Sequence, residues 1–368
     1  MKIAYDAKRA FCNGTGLGNY SRGVIGAAVV SGVSAVLYTP RVDTRFEHAF
    51  DSLDDVKIRR PQGLWRLTPA MWRTLGYAQR VQADGVQLYH GLSHELPLAL
   101  PAEVRRVVTM HDLIVRRYPD YFNWADRLIH RLKQQHACRT ADIVVAISEQ
   151  TKRDLMEMMH IPEEKIRVVY QSCDPIFWDW CRNETHPSPT LPSPLPTRYI
   201  LCVGTLEERK NQLAVIAAME RLPKEVGLVL VGRPRGAYGR KVASCAGGRV
   251  QLLSGVDFRD FPALYAGAVA SVYMSRFEGF GIPILESLCC DTPVVTSNIS
   301  SMPEAGGDAA LYADPDDVET IAAHLLRLLE DETFRQERIA KGRIQRMKFA
   351  PEKVSQEMMA VYRSLLDD

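Results

Sequence analysis

The chain alternates short apolar runs with stretches of helical spacing. KIAYD (2–6), SAVLYTP (34–40), GVQLYHG (85–91), RRVVTMHDL (105–113), ADIVVAIS (141–148) and KIRVVYQS (165–172) read as strands. Most are continuously apolar rather than alternating, as strands buried on both faces of a parallel sheet are. Between them NYSRGVIGAAVV (19–30), PAMWRTLGYAQRVQ (69–82) and ADRLIHRLKQQHACR (125–139) have apolar residues at helical spacing. HPSPTLPSPLPTRY (186–199) follows, with five prolines, too poor in backbone donors for a helix or an inner strand. It reads as a linker. The same grammar then restarts. RYILCVGT, VGLVLVG, RVQLLSG, SVYMS and TPVVTS read as strands, and NQLAVIAAMERL, DPDDVETIAAHLLRLLEDE and APEKVSQEMMAVYRSLL as helices. Two successive β-α-β-α modules predict an α/β protein of two doubly wound, Rossmann-like domains facing each other across a cleft.

The boundaries follow from the pattern: a first domain over 1–185, the proline-rich linker over 186–198, and a second domain over 199–350. A last helix over 351–368 is expected to cross back to the first domain. A length of 368 residues suits two domains. An apolar content of 46% with 24% charged residues is that of a soluble globular protein. No apolar run approaches the roughly 20 residues that cross a bilayer. The N-terminus MKIAYDAKRAF turns polar too soon for a secretory signal. Eight cysteines are scattered with no C-x-x-C pair, which points to reduced thiols in a cytoplasm and away from a zinc site. Residues 1–198 hold 26 Lys+Arg against 21 Asp+Glu, a balance of +5, and the remainder holds 20 against 23, a balance of −3. The basic first half could face an anionic membrane surface or a phosphorylated acceptor, or be a solvated face.

The candidate chemistry sits at the carboxyl ends of strands, where open α/β sheets bind ligands. RFEGFGIPILESLCC (276–290) puts Glu278 on a glycine turn after the strand SVYMS, and Glu286 in the first turns of the helix that follows. Glu286 there either complements the helix dipole or grips a ligand. Gly14-x-Gly16-x-Gly18 lies between the first strand and a helix, the setting in which backbone can approach a phosphate. Its spacing is not that of a dinucleotide fold, so a nicotinamide cofactor is not expected. His111 ends VVTM, and His90 and His94 stand in similar places, each open to a purely structural reading. Arg209 and Lys210 stand together before a helix N-terminus, against its dipole. A polyphosphate leaving group would explain them without a metal, and plain solvent exposure is the alternative. The sole D-x-D, Asp314-Pro-Asp316, reads as helix capping. G-x-S-x-G and P-loop signatures are absent.

Glu278-x7-Glu286 around GFGIPILES, with VGTLEERKN (203–211), resembles family 4 of the retaining glycosyltransferases, which have the GT-B architecture. NGTGLGNYSR, VVTMHDL, AISEQTKRDL, VVYQSCD and SSMPEAGGDAALYADPDD are similar to that family's other segments, over nearly the whole chain. YHGLSHELP resembles the subgroup acting on bacterial surface polysaccharides, often mannosyltransferases. The resemblance implies that Glu286 hydrogen-bonds the nucleotide ribose and that Glu278 contacts the donor sugar. Backbone at Phe280 and Gly281 would approach sugar and phosphate. Arg209 and Lys210 would hold the diphosphate, Gly16 would let the first loop close over it, and His111 would touch the sugar. Many members carry an arginine near Thr205; here Thr205 could donate a hydroxyl hydrogen bond while Arg209 carries more of the charge.

The implied protein is a cytoplasmic, metal-independent, retaining hexosyltransferase with no cofactor and no nucleic-acid partner. Its donor would be GDP-mannose or a UDP-sugar, and its acceptor a glycan or lipid-linked oligosaccharide. Peripheral contact with the inner membrane is a further expectation. A nucleotide-sugar epimerase of the same architecture and a non-catalytic nucleotide-sugar binding protein are the alternatives.

Overall fold

A computed structural model describes residues 1–183, 185, 186 and 194–367. Most of the proline-rich linker therefore lies outside the described residues. Contacts divide the chain into two compact units: Met1–Ser172 together with the residues from Pro351 on, and Cys173–Ala350.

The first unit is a seven-stranded parallel sheet of β1 (Lys2–Asp6), β2 (Ser34–Tyr38), β3 (Val56–Arg59), β4 (Leu88–Gly91), β5 (Arg105–Met110), β6 (Ile143–Ala146) and β7 (Ile166–Val168). Their order is β3-β2-β1-β4-β5-β6-β7. The chain winds outward from β1 in one direction and then from β4 in the other, so the crevice between β1 and β4 is a topological switch point. The apolar runs fill the core as expected: β4 and β6 are buried throughout, and Val36, Tyr38, Tyr89, Val108 and Val144 pack into one cluster.

Two elements of this unit differ from the sequence reading. VKIR, which gave no signal, forms the edge strand β3; it is largely exposed, so it lacks the continuous apolar run that marks inner strands. PAMWRTLGYAQRVQ is two helices, Pro69–Leu75 and Ala78–Ala83, not one. Between them Tyr77 turns into the core, its ring edge-on to Trp72 with centroids 4.7 Å apart.

The second unit repeats the plan with β8 (Tyr199–Val203), β9 (Gly227–Val231), β10 (Val250–Leu253), β11 (Ala270–Tyr273), β12 (Val294–Ser297) and β13 (Leu311–Ala313). Its parallel order is β10-β9-β8-β11-β12-β13, which puts the switch point between β8 and β11. Three-residue β13 was not foreseen, being too short to show a period. Helix Pro175–Arg182 lies in this unit although it precedes the linker, so the division falls at residue 173 rather than at 186. Its buried face, Phe177 and Trp178, explains this: Phe177 packs edge-on against Tyr265, with ring centroids 5.9 Å apart.

Helix Pro351–Leu366 belongs to the first unit, where Val354, Met358 and Tyr362 are buried. The Tyr362 hydroxyl hydrogen-bonds His90 Nδ1 at 2.7 Å, and His90 Nε2 reaches Thr109 Oγ1 at 2.8 Å. Both rings are buried, so a polar atom left alone there costs its full desolvation. Tyr362→Phe should therefore destabilise the first unit by about 1–2 kcal/mol, lowering its melting temperature by a few degrees in a thermal unfolding scan.

Candidate functional site

Gly16 and His111 fall in the first unit, and Thr205, Arg209, Lys210, Glu278, Phe280, Gly281 and Glu286 in the second. The second set converges. After β8 the chain passes Gly204 and Thr205 into the turn Glu208–Lys210; after β11 it passes Ser275 into Glu278 and the helix Ile282–Cys289. These two exits flank the switch point. There Lys210 Nζ donates to Glu278 Oε1 at 2.6 Å, and Arg209 pairs with the same oxygen. Ser275 Oγ adds a third donor at 2.6 Å.

Arg209 also donates to the Phe277 carbonyl at 2.6 Å and to Glu207 at 2.8 Å. Lys210 donates to the Tyr273 hydroxyl and sits 4.8 Å from that ring's centroid. The hydrogen bonds from Arg209, Lys210 and Ser275 to Glu278 all use Oε1. Burial by itself would raise the Glu278 carboxyl, but the Lys210 ammonium and the Arg209 guanidinium outweigh it and hold it down to about 2. Burial pushes the Lys210 ammonium below its usual range, Glu278 opposing the shift. Glu207 also accepts from Arg235 at 3.2 Å, so three cations, Arg209, Lys210 and Arg235, face two carboxylates, Glu207 and Glu278, and one positive charge is left for a further anion.

Glu286 is placed otherwise. It is buried on the helix Ile282–Cys289, where Tyr265 donates to Oε2 at 2.9 Å. Burial raises this carboxyl to about 7, against the lowering effect of the Tyr265 hydrogen bond. Its place in the fifth position of the helix argues against a simple complement to the dipole, which acts in the first turn. Oε1 of Glu278 and Oε2 of Glu286 are thus the oxygens that these hydrogen bonds tie to the protein.

Gly281 caps this helix at φ +113°, a conformation that side chains rarely adopt. The Phe280 side chain is buried edge-on against Phe349, with centroids 5.0 Å apart, so only its backbone is available to a ligand. The turn is held by hydroxyls: Ser300 and Ser301 donate to the Glu278 carbonyl at 2.8 and 2.9 Å, and Ser301 also donates to the Phe280 carbonyl at 2.8 Å. Thr205 is exposed, and its carbonyl accepts from Gln212 Nε2 at 2.9 Å. Asp314-Pro-Asp316 is not the helix cap: Asp317 caps Val318–Glu330 by accepting from Thr320 N, while Asp316 pairs with Arg276.

In the first unit His111 Nε2 lies 2.9 Å from the Leu92 carbonyl, which only an N–H can satisfy, so Nδ1 is the open acceptor. The Tyr20 ring stands edge-on 4.6 Å away and His94 stacks at 5.4 Å. Burial, then neighbouring His94, holds the imidazole down to about 3, so it is neutral at physiological pH. His90 is buried and His94 half-buried; both imidazoles are held down to about 3 by loss of hydration, and both are engaged in hydrogen bonds within the unit. Gly16 opens the helix Gly16–Val30, and a methyl group there would meet nothing within 4 Å. Gly18 is the glycine the fold itself requires, because a Cβ would lie 1.8 Å from the Asn13 carbonyl oxygen.

Sequence reasoning missed Tyr265, Tyr273 and Ser275. Tyr265 stands 21 positions before Glu286 and meets it only through the fold, so no local spacing marks it.

Two pH effects of opposite sign follow. Glu278 has a depressed folded-state value, so its stabilisation is present above about pH 4.5 and lost as pH falls through about 2. Glu278→Gln should therefore lower stability at pH 7 by roughly 3 kcal/mol, a deficit that shrinks when denaturation is repeated towards pH 2. Glu286 has a raised value, so stability is full below pH 4.5 and lost as pH rises through about 7. Glu286→Gln should flatten that loss, also roughly 3 kcal/mol, in melting curves from pH 4.5 to 8.

Comparison with known proteins places the chain in a family. The profile of glycosyl transferases group 1 matches residues 187–345, and that of Glycosyltransferase Family 4 matches residues 14–176. The chain is 31% identical over 287 residues to the O-antigen chain mannosyltransferase B of Escherichia coli, covering 76% of this chain and 74% of that one. It is 28% identical over 260 residues to the O-antigen chain mannosyltransferase RfbU of Salmonella typhimurium, covering 68% and 69%. Among solved structures it shares the fold of sucrose-phosphate synthase from Thermosynechococcus elongatus, with a TM-score of 0.76, 20% identity and coverage of 100% and 99%. It also shares that of the Anabaena HepE protein in complex with UDP-glucose, with a TM-score of 0.73, 19% identity and coverage of 99% and 100%. With two parallel Rossmann-like units, both profiles matched in order and a relative at 31% identity, the chain belongs to family 4 of the GT-B glycosyltransferases.

Proposed function

We propose that this glycosyltransferase is a retaining, metal-independent hexosyltransferase that moves mannose from GDP-mannose onto a glycan or lipid-linked oligosaccharide during assembly of a bacterial surface polysaccharide. The observation that carries the reading is the shared Glu278 oxygen: Arg209 and Lys210 meet at the switch point beside a buried glutamate, Glu286, on the next helix. The mannosyltransferase relatives support the sugar, and UDP-sugars are the competing donors in the test.

In this reading the diphosphate takes the one charge by which Arg209, Lys210 and Arg235 exceed Glu207 and Glu278. Glu278 Oε2 and Glu286 Oε1 accept hydroxyls of the sugar and the ribose respectively. Backbone N–H groups behind Gly281, with Thr205, face the phosphates, and the neutral His111 accepts a sugar hydroxyl at Nδ1. Gly16 leaves room for the acceptor and diphosphate to approach the first loop. The bond from the sugar's anomeric carbon to the diphosphate oxygen breaks as the acceptor oxygen bonds to the same face, and the acceptor's proton passes to the leaving phosphate. The two cations stabilise the charge that develops there, so they do the work for which other transferases use a metal ion. Action at the cytoplasmic side of the inner membrane follows from a lipid-linked acceptor.

The test is a thermal-shift panel in the presence of EDTA with GDP-mannose, UDP-glucose, UDP-N-acetylglucosamine, GDP and UDP, followed by transfer to a lipid-diphosphate-linked mannoside and NMR of the new anomeric centre. GDP-mannose should stabilise the protein by several degrees, Lys210→Ala and Glu286→Ala should abolish the shift, and the product should be the α-anomer. No shift with any sugar nucleotide, an activity that EDTA removes, or a β-linked product would each refute the corresponding part of the reading.

A further inference from the structure

The segment YHGLSHELP (89–97) leaves β4 and turns at once across the end of β5. His94 lies in that turn at φ +63°, in the left-handed region. Glycine and asparagine take this conformation at less cost than histidine does. The turn is tied down there, because His94 N donates to the Thr109 carbonyl at 3.0 Å. A strained backbone of this kind persists where the surroundings call for the particular side chain.

His111 makes that call. Its backbone N–H, just past the end of β5, donates to His94 Nε2 at 3.3 Å, and the two rings stack at an interplanar angle of 15°. A neutral imidazole has one donor and one acceptor nitrogen. Because Nε2 of His94 accepts, its Nδ1 carries the proton, and the Gln134 amide 3.3 Å away must turn its oxygen towards it. Gln134 is only 1% exposed, on the inward face of helix Trp124–Thr140, so this support comes from inside the unit. The remaining contacts of His111 complete a seat. The Leu92 carbonyl, two residues before His94, accepts from His111 Nε2, and Thr151 Oγ1 donates to the His111 carbonyl at 3.2 Å. Tyr20, edge-on to the ring, is itself fixed by its hydroxyl, 3.0 Å from Thr109 Oγ1. These contacts engage the backbone, the ring face and Nε2 of His111, and leave Nδ1 to other use.

We propose that His94, backed by Gln134, is a positioning residue for sugar transfer: by accepting the His111 N–H it holds His111 in the one place and orientation in which Nδ1 serves the donor sugar. The role of Nδ1 rests on the proposed function, whereas the hold of His94 on His111 does not. A residue needed only for the turn would be better as asparagine, and one needed only for packing would not have to present an acceptor to a main-chain donor. His94 acts by placement and not by moving a proton, since its Nε2 is occupied by an amide that does not titrate. Loss of the hold should therefore slow the transfer step, where a small displacement is costly, and leave the binding of nucleotide sugar nearly as it was.

Two substitutions separate the acceptor from the backbone. Glutamine carries its amide oxygen about where Nε2 lies but is strained in the turn as histidine is; asparagine suits the turn, and its oxygen stops short of the His111 N–H. With GDP-mannose and a lipid-diphosphate-linked mannoside, His94→Asn should lower kcat roughly tenfold to a hundredfold with less than about a threefold change in KM for the donor, and His94→Gln should stay within about threefold of the unaltered chain. Deuterium exchange of the His111 amide, followed by NMR in the full chain without substrate, should be slow in the unaltered chain and in His94→Gln, and about tenfold or more faster in His94→Asn. Equal activity of the two variants, a loss confined to His94→Gln, full activity in His111→Ala, or exchange that His94→Asn does not quicken would each overturn the proposal. A chain that transfers no sugar from any donor would refute the proposed function instead, and the exchange rates would then still uphold or overturn the hold of His94 on His111.

Discussion

One carboxylate oxygen, Glu278 Oε1, organises the second unit's end of the sheet. It joins the turn after β8, which supplies Arg209 and Lys210, to the turn after β11, which supplies Glu278 and Ser275. All three charged side chains are only partly exposed, so each charge is costly to keep without its partner. Neither turn can therefore hold its conformation independently of the other. The backbone is tied down by the same groups: Arg209 reaches the Phe277 carbonyl, and Arg276 N donates to the Arg209 carbonyl at 2.8 Å. The helix bearing Glu286 starts where this pairing ends, so its direction, and the place of its buried carboxyl, depend on it too.

The inner strands were legible because a strand buried on both faces must be apolar at every position, and such runs have few alternatives. What escaped notice lies where that constraint lapses. Val56–Arg59 is an edge strand with one side in water, and Leu311–Ala313 is too short for any period. The break between Leu75 and Ala78 is set by Tyr77 entering a core built from Tyr38, Tyr89 and Trp72, a tertiary demand that helical spacing cannot show. The prolines at 186–198 lie mostly outside the described residues, and the change of unit comes earlier, at residue 173. Phe177 and Trp178 decide it by choosing which core to enter.

At the site, the residue types and their position after strands pointed to the right loops. The distribution of charge among them was not visible. Nothing in the spacing of two glutamates says that one is held ionised by two cations and that the other, against Tyr265, is held near neutrality. The first depends on neighbours almost 70 positions away, the second on burial. Glycines were also only half legible: Gly16 and Gly18 look alike in a string, yet only one of them is demanded by a nearby carbonyl.

The route of the chain bears on how such a molecule comes to exist. Its second unit is one unbroken stretch, while the first is made of an early piece and a late one separated by that whole stretch. His90 waits for a tyrosine 272 residues further on. A ribosome delivering this chain therefore exposes an incomplete first unit, with an unfilled place where helix Pro351–Leu366 will lie, throughout the synthesis of the second. The unit that begins first finishes last, and the closing of so long a loop is a cost that the second unit, already folded and holding the ends apart by a fixed span, reduces.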